Sequence, residues 1–382
     1  VTSGTEPTTT ATGTPGPRLA DTARLLRCPE TGLPLRPLAL DEATEALGGG
    51  ELAARPNGPK PFGLTPTLMV RSDDQVAYPV VDGVPILLVP EQITRADRRR
   101  PADLTDPRYA EAYEEMEFYN AVAAEEAADI RRSTSYAAIA PAVGHGADAA
   151  TFPEPIPTWI DSVPDCKAQY LAYRHLGPVA GKRLLQVGGK GIHAVKWLMA
   201  GADEAWVLTP MLGEAQCSMA LAREVGVEDR LRCVVGVAEQ IPLADDTFDA
   251  TYSGGCVHHM TTAQAMPELA RTLRPGGRFA ACDPWRAPLY AIGTRILGKR
   301  EESVYCRPLT TERVAPLYTS FEHAELQQYG TLTRYPVLAL TKFRINLPLK
   351  VVWWLYRVDD KLCSLIPGLR RFGSSAALYA TK

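Results

Sequence analysis

The sequence predicts an α/β protein whose larger part is a doubly wound, mostly parallel sheet. Three observations predict it. Short apolar runs alternate with helical patterns between residues 183 and 282. The connections between them are only a few residues long, and a glycine-rich turn, Gly188-Gly189-Lys190-Gly191, follows the first run. Repeated strand–helix–strand units with short links place helices on both faces of a parallel sheet.

The elements follow in order. Residues 183–187 read as a strand, 191–200 as a helix, 205–209 as the second strand and 214–225 as a helix carrying Met219, Leu221 and Ala222. The third strand is 231–235 and the fourth 248–253; a helix over 263–273 then leads to a fifth strand over 278–282. In such sheets the ligand lies beyond the carboxyl ends of the strands, at the topological switch point. Chemistry is therefore expected on the loops after Val187, Thr209, Val235 and Ser253.

Upstream, residues 1–21 are rich in Thr, Pro and Gly and read as a disordered tail. Residues 22–93 read as a small β-rich module, with strands at 25–29 and 76–88 and a hairpin turn at Asp82-Gly83. Residues 94–164 read as a helical linker or lid. Its run Arg98-Arg99-Arg100 is a solvated face, and Tyr109, Tyr113, Met116, Tyr119 and Ile130 mark one side of a helix over 107–131. That aromatic stripe reads as core packing rather than a substrate cage. A helix around 165–176 opens the C-terminal domain, 165–382.

Composition bounds the function. The chain has 382 residues, and 41 Lys+Arg against 44 Asp+Glu leave a net charge of −3. No basic excess exists to follow a nucleic-acid backbone. Hydrophobic residues make up 46%, enough for a sizeable core. No run approaches the ~18 apolar residues of a membrane span; the apolar window 347–358 is broken by Lys350 and Arg357. The N-terminal residues lack the basic start and apolar run of a secretory signal, and eight scattered cysteines suit a reducing compartment. A cytoplasmic enzyme acting on a small molecule is expected, with no nucleic-acid partner and no membrane span; the oligomeric state is not legible.

The motifs narrow this. Ala238-Glu239-Gln240-Ile241-Pro242-Leu243 precedes Asp246-Thr247-Phe248-Asp249, which runs into Ser253-Gly254-Gly255-Cys256-Val257-His258-His259. Leu273-Arg274-Pro275-Gly276-Gly277 then stops a helix before the fifth strand. In this order, over roughly residues 165–382, the chain resembles the class I S-adenosylmethionine-dependent methyltransferases, nearest the ubiquinone/menaquinone-biosynthesis branch. The resemblance implies a Rossmann-like sheet of seven strands and S-adenosylmethionine as cofactor. It also implies cofactor contacts at Gln186, Gly188, Gly189, Gly191, Thr209, Pro210, Ala238, Glu239 and Ser253. Three departures stand out: Gln186, Thr209 and Val237 occupy positions where family members place acids. A charge-assisted hydrogen bond is worth roughly 1.5–3 kcal/mol against about 1 for a neutral one, so these replacements weaken the expected grip. Lys190 and Ile192 also stand where glycines are common.

His258 is the expected general base, because an imidazole titrates near neutral pH and its loop borders the transferring methyl in the family. Asp283, Trp285 and Arg286 are expected on the acceptor side. Insertions near 284–309 and 331–367, the latter with Trp353, Trp354 and Tyr356, are expected to cover a small, largely apolar acceptor; the two tryptophans equally read as packing a helix onto the sheet. Cys256 and His258 are two residues apart and do not face each other, and no acid completes a metal set with His258-His259. The segments Leu26-Arg27-Cys28-Pro29 and Tyr78-Pro79-Val80-Val81-Asp82-Gly83-Val84-Pro85 resemble the small zinc-ribbon-like module that accompanies some methyltransferases, including their activator subunit. Thr31 stands where metal-binding versions have a second cysteine, so a metal-free module is expected. The expected function is methyl transfer to a small organic acceptor in specialised metabolism. The alternatives are a non-methylating cyclase, isomerase or lyase on the same fold, and a non-catalytic binding or scaffold protein.

Overall fold

The computed structural model describes residues 16–54, 64–95, 107–143, 160, 162–288, 290, 292 and 307–382. They divide into two units, Val1–Asp106 and Pro107–Lys382.

In the first unit α1 (Pro17–Ala23), β1 (Leu35–Ala39), α2 (Leu40–Ala46), β2 (Leu52–Ala54), β3 (Thr67–Arg71), β4 (Ala77–Val81), β5 (Val84–Pro85) and β6 (Ile93–Arg95) follow in order. The strands form an antiparallel sheet in the order β1-β3-β4-β6-β2, with β5 paired to β4. Asp82 and Gly83 sit at φ 51° and 78°, the left-handed pair that a two-residue hairpin turn requires. Leu68, Val70, Ala77 and Ile93 bury one face of this sheet against Ala43 and Leu47. Two expectations change here. Residues 25–29 do not form a strand: Leu26 and Arg27 make isolated bridges, Arg27 with Pro34, and the Gly32 N–H turns back onto the Cys28 carbonyl at 2.8 Å. Residues 17–21, expected within a disordered tail, are helical, with Pro17 in the first turn where its missing N–H costs nothing. Residues 1–15 lie outside the described residues. The buried Cys28 thiol lies 3.2 Å from the Tyr78 hydroxyl and 3.8 Å from Arg71 Nη1.

The second unit opens with α3 (Pro107–Ala128), α4 (Thr134–Ile139) and α5 (Cys166–Leu176). The alternation then runs β7 (Arg183–Val187), α6 (Ile192–Met199), β8 (Glu204–Thr209), α7 (Leu212–Glu224), β9 (Leu231–Val235), β10 (Phe248–Gly254), α8 (Thr262–Thr272) and β11 (Leu273–Pro284). After it come α9 (Thr311–Ser320), β12 (His323–Tyr329), α10 (Arg334–Lys342), α11 (Leu349–Leu365) and β13 (Ser375–Thr381). Seven strands form one sheet in the order β12-β13-β11-β10-β7-β8-β9. All neighbours from β9 to β11 are parallel, and β13 runs antiparallel to both β11 and β12. The inner strands are buried almost end to end, as Leu184, Leu185, Trp206, Val207 and Tyr252 illustrate, because helices cover both faces of a parallel sheet. β11 starts five residues earlier than expected: Leu273 already pairs with Phe248, and the Gly276 N–H donates to the Lys382 carbonyl at 2.8 Å.

Helix α3, expected within a linker, packs on α7. The Gly213 N–H donates to Asn120 Oδ1 at 2.6 Å, and a Cβ at Gly213 would lie 2.2 Å from the Asn120 carbonyl oxygen. The insertion at 331–367 is α10 and α11. It is tied to the start of α5 by Arg334 Nε on Asp165 Oδ1 at 2.6 Å and by the Tyr356 hydroxyl donating to the Pro164 carbonyl. Trp353 packs edge-on against Tyr170 at 5.2 Å, whereas Trp354 is 61% exposed. Most of the insertion expected at 284–309 lies outside the described residues.

Candidate functional site

The chain leaves β7 toward β8 on one side, and β10 lies on the other, so the switch point falls between the carboxyl ends of β7 and β10. Two glycine-bearing loops meet there. Gly188, Gly189 and Gly191 take φ of 79°, 79° and 72°, which residues with a Cβ rarely adopt. Space demands glycine as well: a Cβ on Gly188 would lie 2.4 Å from Cys256 Sγ, and one on Gly191 2.4 Å from Ser218 Oγ. Cys256 thus packs directly on the turn after β7. Burial raises its thiol pKa well above the ordinary value, and the nearby Glu214 and Asp283 carboxylates push the same way.

Gln186 braces this turn. Its Oε1 accepts from the Ala194 N–H at 2.8 Å and its Nε2 donates to the Gly188 carbonyl at 2.8 Å. Both polar atoms of this expected cofactor contact are therefore engaged by the chain itself. Thr209, fully buried at the end of β8, donates to Glu214 Oε2 at 2.5 Å and accepts from the Met211 N–H at 3.2 Å. Pro210, another expected cofactor contact, lies in the link between β8 and α7. Glu239, half-buried, accepts from the Thr261 N–H at 2.7 Å ahead of α8. Ala238 is buried beside it.

Glu214 was not anticipated. It stands in the first turn of α7, is 7% exposed, and accepts hydrogen bonds from Thr209 and from the Gly189 N–H. Burial raises its pKa, against the lowering effect of those bonds and of Lys190. It returns a carboxylate to the end of the second strand of this sheet, where Thr209 itself is neutral. The available signal was an acid in the first turn after that strand.

Lys190 does not reach across the crest; it pairs with Glu126 of α3 at 2.9 Å. Glu126 also accepts from Thr134 and Ser135. Burial pushes its pKa up, but the bonds from Ser135, Lys190 and Thr134 outweigh this and hold it below the usual range.

Across the switch point, His258 and Asp283 form a pair that joins the ends of β10 and β11. Asp283 Oδ1 accepts from His258 Nδ1 at 2.8 Å and from the His258 backbone N–H at 3.0 Å. The Asp283 carboxylate is buried, and Oδ2 has no hydrogen-bond partner among the described residues. Burial raises its pKa, and the hydrogen bonds and charge of His258 oppose the rise. Arg313 of α9 fixes the loop from below, donating to the His258 and Met260 carbonyls at 3.0 Å each. Ser253, on the same strand, is fully buried, and its hydroxyl has no partner among the described residues. The structure thus joins His258, the expected base, to Asp283, expected on the acceptor side, as one hydrogen-bonded pair. Arg286 is exposed beyond β11, between buried Trp285 and Ala287, its backbone N–H donating to the Leu309 carbonyl at 3.0 Å. Trp285 is buried.

A separate open cleft of about 730 Å³ lies between α5 and the edge strand β12, lined by Lys167, Asp360 and Arg370 among others. It contains none of these crest residues.

Residues 185–281 match the family described as a methyltransferase domain, and this segment is such a domain. Similar curated proteins include methyltransferase GfsG of Streptomyces halstedii, 38% identical over 115 residues, which span 29% of this chain and 41% of that protein. Demethylmenaquinone methyltransferase of Clavibacter sepedonicus is 33% identical over 112 residues, 29% of this chain and 44% of the relative. The 27-O-demethylrifamycin SV methyltransferase of Amycolatopsis mediterranei is 35% identical over 125 residues, 31% and 45% of the two chains. The chain spans less than half the length of these relatives. Among solved structures, geranyl diphosphate C-methyltransferase from Streptomyces coelicolor A3(2) aligns with a TM-score of 0.40 at 17% identity, over 56% of this chain and 76% of that one. The [4+2]-cyclase SpnF aligns with a TM-score of 0.40 at 20% identity, over 57% and 81%.

Proposed function

We propose that the protein transfers the methyl group of S-adenosylmethionine to a small organic acceptor and that His258 removes the acceptor's proton. The observation that carries this reading is the His258–Asp283 pair at the carboxyl end of the sheet, within a chain that holds a methyltransferase domain. The residues at the crest suit the cofactor. Gly188, Gly189 and Gly191 give the turn the left-handed backbone of a glycine-rich loop, Glu214 offers a buried carboxylate suited to a diol, and Ser253 Oγ and Asp283 Oδ2 are buried groups without hydrogen-bond partners among the described residues. Bound S-adenosylmethionine supplies an electrophilic methyl on a good leaving group. The chain's own task is to orient the acceptor, exclude water and accept one proton. A carboxylate acceptor on Nδ1 sets the tautomer, so the proton from an acceptor O–H or N–H goes to His258 Nε2. Asp283 then stabilises the imidazolium from a site of low polarity.

The relatives named for a rifamycin derivative and for GfsG, both from actinomycete sources, support an acceptor in specialised metabolism. The first unit is read as the zinc-ribbon-like accessory module, with the Cys28 thiol held by Tyr78 and Arg71 instead of a metal. A cytoplasmic site of action accords with the scattered cysteines.

Calorimetry of the full chain with S-adenosylmethionine and S-adenosylhomocysteine tests the reading. Micromolar binding of both is expected, and no heat at millimolar ligand would eliminate methyl transfer. A second reading has one observation in its favour: Gln186 and Thr209 both spend their polar side-chain atoms on the chain itself. On that reading the His258–Asp283 pair serves a cyclase, isomerase or lyase that no longer uses the methyl donor. His258-dependent turnover without cofactor binding would select it.

A further inference from the structure

We propose that α11 and the loop before it form a docking surface for an anionic lipid bilayer. The helix has two apolar faces. Val352, Tyr356, Asp359 and Cys363 make the inner one and are buried. On the outer side Val351, Trp354, Val358 and Leu365 are 42%, 61%, 38% and 70% exposed. At about 100° per residue these four fall within one stripe of roughly 60°. Lys350, Arg357 and Lys361, all exposed, form a parallel row along one flank of that stripe. The loop ahead of the helix extends the apolar surface with Phe343 and Ile345, 74% and 52% exposed.

Charge identifies the occupant. Residues 342–371 hold seven Lys and Arg against two Asp, whereas the rest of the chain holds 34 against 42. Both acids in the segment are turned away from the row: Asp359 is buried and accepts from the Leu332 N–H, and Asp360 pairs with Lys167 at 3.1 Å. The outer face is therefore apolar and cationic in a chain that is otherwise acidic. An amphipathic helix of this kind lies along the membrane interface, with its aliphatic and Trp side chains in the acyl boundary and its cations at the headgroups. Lys and Arg stems reach along the apolar layer while their charged ends stay hydrated. The helix has 17 residues, five of them charged, so it rests on a bilayer rather than crossing it. Two copies joined symmetrically through this face would set like-charged rows against each other. A bilayer surface rich in acidic phospholipid instead complements both components. Acceptors dissolved in the membrane would then be the ones presented to the enzyme.

The full chain should sediment with phosphatidylglycerol-containing vesicles far more than with pure phosphatidylcholine vesicles. Bromine-labelled acyl chains should quench its tryptophan fluorescence, and Trp354→Phe should remove most of that quenching. A Trp354→Ser/Val358→Asp double variant and a Lys350→Glu/Arg357→Glu/Lys361→Glu triple variant should each weaken partitioning by about tenfold or more. All five positions are exposed, so both variants should keep the parent's unfolding midpoint. The proposal is overturned by equal sedimentation of parent and variants, or by binding without quenching. It is also overturned if vesicles are ignored while the parent self-associates and the double variant does not, because the face would then join copies of the chain.

Discussion

His258 presents two hydrogens to a single oxygen of Asp283, one from ring Nδ1 at 2.8 Å and one from its own backbone at 3.0 Å. The ring and the loop are thereby fixed by the same carboxylate. General-base catalysis typically contributes about 10²–10⁴-fold, so His258→Ala should lower turnover by about a hundredfold or more while cofactor affinity is kept. Asp283→Asn should also lower turnover, because a neutral amide no longer stabilises the imidazolium. Steady-state kinetics beside calorimetry measures both, and undiminished turnover in either variant removes the base assignment.

Gln186 is a brace, so its loss should be felt first as loosening of the glycine turn. Two buried hydrogen bonds at about 1 kcal/mol each put the destabilisation of Gln186→Ala near 2 kcal/mol. Gln186→Glu should also destabilise, because a carboxylate would face the Gly188 carbonyl that the amide now serves. Denaturant titration reads both, and a neutral Gln186→Ala would mean that the turn holds itself.

Glu214 has a pKa raised by burial. A raised carboxyl pKa contributes stability below the ordinary carboxylate range, and that contribution fades as pH rises through the folded-state pKa. Glu214→Gln removes the ionisation, so the ligand-free variant should melt higher than the parent at pH 8. The gap should close toward pH 4. A gap that widens on acidification would reverse the assignment.

Asp165 behaves in the opposite sense. Burial would raise its pKa, yet the charge and hydrogen bonds of Arg334 hold it below the usual range. Its stabilising effect is present above the unfolded carboxyl pKa and is lost as pH falls through the lower folded value. Arg334→Met should cost about 3–5 kcal/mol at neutral pH by leaving a buried charge unpaired. Adding Asp165→Asn should recover a large part, as a double-mutant cycle would measure.

Gly213→Ala should part α3 from α7. Its Cβ would meet the Asn120 backbone oxygen at 2.2 Å, and a backbone atom within a helix cannot swing aside. Overpacking of this kind costs roughly 1–3 kcal/mol. Faster amide exchange across 116–128 is the expected readout, and unchanged protection there would show that the contact is slack.

Much of the central sheet was legible because each inner strand is a short apolar run bounded by turn residues. β7 and β9 coincide with their expected ranges, and β8 and β10 differ by one residue. Local pattern misled where pairing decided the outcome. Residues 273–277 look like a helix stop and a turn; Leu273 already pairs with Phe248, and the register then slips across the turn at Gly276 before Arg278 pairs with Ala250. Residues 25–29 look like strand, but are taken up by the turn at Cys28. At the site, the positions of Gln186 and Thr209 could be read from the chain, whereas the destinations of their polar atoms could not. Those depend on Ala194 and Glu214, eight and five residues away.

The sequence by itself determined the alternating architecture, the glycine turn at its crest and the presence of an imidazole on the loop after the fourth parallel strand, since all three follow from local patterning and backbone freedom. Only the tertiary structure decided that β13 inserts antiparallel beside β11, that Lys190 turns away to Glu126, that Glu214 supplies an acid at the end of β8, and that Asp283 belongs to His258. Glu214 apart, which lies five residues from Thr209, each of these joins groups far apart in the chain, and buried polar atoms must find partners wherever the fold brings one within reach.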